Sequence, residues 1–71
     1  MSPDKMIRMA NQIAAFFETQ PNAGAPEVAA HINEFWEPRM RAQLGDHLAA
    51  GGEGLHPLVS EAAGLVKQPA A

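Results

Sequence analysis

Pro3, Pro26, Pro38 and Pro57 each stand at the head of a stretch in which apolar residues return every three or four positions. No other feature constrains the chain so closely. Proline lacks an amide hydrogen and has φ set near the helical value, so it suits the first turn of a helix and disrupts the interior. Each of these prolines therefore opens one helix and ends whatever precedes it. Ser2-Pro3-Asp4 begins the first with a hydroxyl cap, a proline and an acid at the positive end of the dipole. Met6, Met9, Ala10, Ile13, Ala14, Phe16 and Phe17 carry that helix to about Thr19 with a wide apolar face. Pro21-Asn22-Ala23-Gly24 reads as a loop, and a second helix from near Pro26 bears Val28, Ala29, Ile32, Phe35 and Trp36. Pro38 forces a stop or bend at Trp36-Glu37 and takes the first position of a third helix through Met40, Leu44 and Leu48 to about Ala50. Gly45 inside it costs about 1 kcal/mol relative to alanine, so this helix needs packing to persist.

Gly51-Gly52-Glu53-Gly54 ends the third helix, and His56-Pro57 opens a short last one with Leu58, Val59, Ala62, Leu65 and Val66 on its buried side. Residues 66–71 read as a frayed tail. No alternating strand pattern and no internal repeat is present. The expected fold is all-α: four short helices in one domain over 1–71, with a proline-marked bend between the second and third.

With 71 residues the chain is near the size at which a single core supplies only about 3–5 kcal/mol. It has no cysteine, which removes disulfides and thiolate-ligated metals as further support. A protein partner is the ordinary remaining solution. The formal charge of −3 gives no basic field for nucleic acid or anionic lipid. The opening Met1-Ser2-Pro3-Asp4 lacks a signal-peptide pattern, and no apolar run approaches the roughly 20 residues of a membrane span, so the expected location is the cytoplasm.

Candidates for chemistry are few. Glu27, His31 and Glu34 share a helix face at spacings that suit a metal, yet a solvated face with i, i+4 pairing explains them more simply. His47 is expected near a helix C-terminus and His56 in a turn. The hydroxyls Ser2, Thr19 and Ser60 lie in no nucleophile pattern, and the glycine run lacks the preceding strand and the Lys-Ser/Thr of a phosphate loop. Metal, cofactor and catalytic residues are expected to be absent.

The segment Phe35-Trp36-Glu37-Pro38-Arg39-Met40-Arg41 is of another kind. It gathers the only tryptophan, a phenylalanine, a methionine and two of the five cations around a forced bend. Trp, Arg and Met are enriched at interfaces, and arginine gives bidentate hydrogen bonds to carboxylates. Phe16, Phe17, Met9 and Met6 add more apolar surface than four short helices obviously bury. The expected partner-binding residues are Phe16, Phe17, Trp36, Arg39 and Arg41, with Phe35 and Met40 turned inward.

Three blocks carry a family resemblance. Ser2 to Phe17 resembles the start of the delta subunit of cytoplasmic NAD-dependent formate dehydrogenases, the run Ala29 to Arg41 is similar to its central signature, and Gly51 to Val59 to its third block. The resemblance implies a small subunit bound to a molybdenum- or tungsten-containing enzyme that interconverts formate and carbon dioxide. In that family the larger subunits carry bis-molybdopterin guanine dinucleotide, iron–sulfur clusters, FMN and the NAD site. No catalytic residue carries over; Asn11, Gln12, Phe16, Phe17, Phe35, Trp36, Glu37, Pro38, Arg39 and Arg41 map as contact or scaffold positions. The expected role is to bind and stabilise, or help assemble, that complex, most naturally through its catalytic subunit. The alternatives are a transient maturation factor for molybdenum cofactor insertion and a self-associating helical regulator.

Overall fold

The computed structural model describes residues 2–68. Helix α1 is Pro3–Glu18, α2 Ala25–Phe35, α3 Pro38–Ala49 and α4 Pro57–Ala62, the last prolonged by a 3-10 turn over Ala63–Leu65. All the described regular structure is helical, and each helix has its proline at the first or second position. The Ser2 hydroxyl accepts a hydrogen bond from the Lys5 amide at 3.2 Å and caps α1. At the start of α2 the Glu27 carboxylate reaches back to accept from the Gly24 amide at 2.6 Å, one half of a capping box.

The bend at Pro38 is as the sequence implies. Trp36 (φ −87°, ψ 136°) and Glu37 (φ −64°, ψ 155°) are both extended, so α2 and α3 are separate helices joined through two residues. The end of α3 forms a Schellman motif: the Gly52 amide donates to the His47 carbonyl at 2.9 Å and the Gly51 amide to the Leu48 carbonyl at 3.1 Å. Gly51 has φ 120° there, a backbone state that a side chain resists.

Met6, Ala10 and Ala14 of α1, Val28, Ala29 and Ile32 of α2, Leu44 of α3, and Val59 and Ala62 of α4 form the core with Trp36 and Val66. Four alanines on these faces, Ala10, Ala14, Ala29 and Ala62, let the helices approach closely around the larger side chains. Helix α4 lies mainly against α2, and α1 touches all three others. A Cβ at Gly45 would meet the end of the exposed Gln68 side chain at 2.7 Å, a flexible group that can swing aside.

Two expectations for the C-terminal region need correction. Leu65, expected on the buried side with Val66, is exposed while Val66 is buried, because the helix tightens after Ala62 and Val66 then leaves it in an extended conformation. The tail expected to fray from 66 is held as far as Lys67: the Lys67 amide donates to Asn33 Oδ1 at 2.7 Å and its carbonyl accepts from Arg41 Nε at 2.8 Å. Residues 69–71 lie outside the described residues.

Candidate functional site

Met9, Ile13 and Phe16 follow one another at spacings of four and three, so they form a stripe along α1 beside the buried stripe Met6, Ala10, Ala14. Across from this stripe α2 offers His31 and Phe35, and the bend supplies Trp36 and Met40. Together with Gln12 and Phe17 they line an open groove of about 450 Å³. Phe16 is 59% exposed and Phe35 66%, whereas Trp36 is 5% exposed.

The rings are ordered across the groove. Phe16 and Phe17 meet edge to face with centroids 5.3 Å apart, Phe17 meets His31 at 6.1 Å, and His31 lies 4.7 Å from Phe35. Edge-to-face and tilted contacts of this kind favour aromatic pairs by about 0.5–1.5 kcal/mol beyond their area burial.

This geometry reverses one expectation and divides another. Phe35 was expected inward and Trp36 outward; the structure places Trp36 in the core and Phe35 at the surface. Trp36 is the C-cap of α2 and has left helical geometry, so its side chain no longer follows the helical wheel. Met40 is half-buried. Phe16 and Phe17 share the groove with Trp36. Arg39 and Arg41 separate. Arg39 is exposed and lines a second hollow of about 440 Å³ with Phe35, Glu37, Met40 and Gln43. Arg41 is committed inside the chain: Nη1 donates to the Trp36 carbonyl at 2.6 Å and Nε to the Lys67 carbonyl.

The polar candidates have structural partners. Glu27 caps α2, and His31 is packed between Phe17 and Phe35 instead of standing on a solvated face. His47 Nε2 lies 2.7 Å from the Glu53 carbonyl, which can only accept, so the ring donates and braces the glycine loop. His56 caps α4 by accepting from the Leu58 amide at 3.0 Å, and its Nε2 is 3.2 Å from Glu18 Oε2. The Gly51 and Gly52 amides are used in the helix cap and cannot cradle a phosphate. Among the described residues no three His, Asp or Glu side chains are grouped to hold a metal ion. The chain also has no cysteine to ligate an iron–sulfur cluster.

Asn33 is the functional scaffold residue that the motif reading passed over. Its amide donates to the Leu65 carbonyl at 3.0 Å and its carbonyl accepts from Lys67, gripping the C-terminal segment on either side of Val66. Its signal in the sequence is a short amide four residues after Ala29, at the margin of a buried face.

The groove, the bend and the glycine cap all fall inside one family match. Residues 5–63 match the NADH-dependent formate dehydrogenase delta subunit family, FdsD. The chain belongs to this family. The comparison with curated proteins gives no match. In this delta-subunit family member the match contains every residue lining the groove and stops before Leu65 and Lys67, the residues that Asn33 and Arg41 hold. Among the described residues no helix is long and apolar enough to cross a membrane.

Proposed function

We propose that this chain is a non-catalytic subunit of a cytoplasmic formate dehydrogenase complex, docking on a larger subunit through the groove between α1 and α2 and stabilising or helping assemble it. The observation that carries the reading is the exposure of Phe16 and Phe35 on the two lips of an apolar groove whose floor is Trp36. Exposed aromatic rings beside a concave apolar surface are what an interface anchor fits, and they are a liability on a chain that stays alone. Family membership supplies the partner class, namely the other subunits of a formate dehydrogenase. On this reading the redox chemistry, with its molybdopterin, iron–sulfur, FMN and NAD groups, belongs to those subunits.

The test is co-expression of the tagged chain with the larger subunits. The Phe16→Ser/Phe35→Ser double variant is expected to retrieve at least about tenfold less of them, as for loss of two interface anchors, with an unchanged thermal melt. Full retrieval by the double variant counts against the groove. Formate oxidation by the isolated chain counts against a non-catalytic role. Retention of the chain at equal stoichiometry in fully active enzyme separates a resident subunit from a transient maturation factor.

A further inference from the structure

We infer that the occupant of the groove is an amphipathic helix of a larger subunit, seating an apolar anchor between Phe16 and Phe35 and a carboxylate on Arg39. This rests on the docking reading above and adds the form and charge of the partner segment.

The form follows from what the groove offers. Its walls are side chains of helices, whose backbone groups are already bonded within each helix, and the described residues include no strand edge. An extended segment lying there would bury its own amides and carbonyls without partners. A helix satisfies its backbone internally and offers side chains at i, i+3, i+4 and i+7 to an apolar channel. The only polar side chains on the groove wall are Gln12 and His31, so the face that enters must be largely apolar.

The charge follows from Arg39. The two hollows share Phe35 and Met40, so a segment lying over that ridge reaches both. On the far side it meets Arg39, which is exposed and has no carboxylate within ion-pair distance among the described residues. Glu37 lines the same hollow and disfavours a second carboxylate beside it. A single acid aligned with Arg39 is therefore the complementary pattern.

The experiment places the photocrosslinker p-benzoylphenylalanine at Phe35 of the full chain, in the complex assembled with the larger subunits, with a control probe at Glu53 in the glycine loop. The expected cross-link from position 35 is to one larger-subunit segment carrying apolar residues at helical spacing and an Asp or Glu. A synthetic peptide of that segment is expected to gain helix by circular dichroism as the chain is added. Arg39→Glu is expected to weaken retrieval of the complex about tenfold, Arg39→Gln less, and both less at high salt. Cross-linking to a second copy of the chain, to a segment without a carboxylate, or to one that stays non-helical overturns the inference. Equal retrieval by Arg39→Glu also overturns it. Assembly with cross-links only from position 53 keeps the subunit reading and discards the groove. Failure to assemble with any larger subunit discards the docking reading itself.

Discussion

Asn11 is joined to His56 across 45 positions of sequence: the His56 amide donates to Asn11 Oδ1 at 2.8 Å, while Asn11 Nδ2 donates to the Gly54 carbonyl at 2.9 Å. One side-chain amide thus pairs with the backbone on both sides of Leu55, much as a neighbouring strand would. Asn33 does the same to the backbone on either side of Val66. These two residues tie the irregular segments before and after α4 to α1 and α2. Asn11→Ala is expected to lower stability by about 2 kcal/mol, two hydrogen bonds at about 1 kcal/mol each. For a chain of this size that is a fall of roughly 10 °C in melting temperature. Asn11→Asp keeps the acceptor and loses the donor, so it is expected to fall between the two.

Trp36 and Phe35 are predicted to differ sharply although they are adjacent. Trp36→Ala removes a buried indole from the core and is expected to cost about 3–5 kcal/mol, enough to unfold a chain with so small a core. Phe35→Ala, at an exposed site, is expected to change stability by less than about 1 kcal/mol. Urea denaturation followed by circular dichroism measures both.

That pair also shows where the sequence is legible and where it is not. The prolines give the helix count and starts because their backbone restriction is local, and Pro38 gives the bend for the same reason. The burial of Phe35 against Trp36 is not local. Ile32 is three residues before one and four before the other, so helical periodicity fits either side chain inward. What decides is the extended conformation of Trp36, which takes its side chain off the helical wheel. The groove was foreshadowed by surplus apolar residues on α1, but Met6 among them proved to be core and Phe16 surface. The asparagine clamps connect positions far apart in the chain, and no spacing rule reaches that distance.

The glycines divide by backbone geometry. Gly51→Ala must place a Cβ at φ 120°, although no neighbouring atom lies within 4 Å, so its cost is pure backbone strain of about 1–2 kcal/mol. Gly24 has φ −167°, extended backbone open to any residue, with equally free space around it. Gly24→Ala is expected to shift stability by only a few tenths of a kcal/mol, about the size of a change in cap preference. Thermal melts of the two variants should separate by several degrees.

His56 is predicted to matter as a cap more than as a partner of Glu18. His56→Ala removes the acceptor for the Leu58 amide and is expected to cost about 1 kcal/mol. His56→Ser restores a cap while losing the contact with Glu18, whose side chain is well exposed. A polar contact so open to solvent contributes little, so the serine variant is expected to melt close to the parent chain. If serine melts as low as alanine, the Glu18 contact and not the cap is what stabilises this turn.

The two arginines around the bend, similar in sequence context, are expected to separate by stability. Arg41 joins the Trp36 carbonyl at the end of α2 to the Lys67 carbonyl in the C-terminal segment, using two different nitrogens of one planar group. Lysine has a single nitrogen and cannot reproduce that fork. Arg41→Lys is therefore expected to lose one of the two charge-assisted bonds, about 1.5–3 kcal/mol where the partner stays unsatisfied. The loss should be local first. The Lys67 amide, bonded to Asn33, is expected to exchange with solvent at least about tenfold faster, the change that 1.4 kcal/mol of local opening produces. Amides in the middle of α1, which Arg41 does not touch, should hold their protection until the whole fold opens. Arg39→Lys makes no such bond to lose and is expected to leave every exchange rate near its original value. Equal protection at Lys67 in the Arg41→Lys and Arg39→Lys variants would show that Asn33 alone secures the C-terminal segment and that Arg41 is dispensable to it.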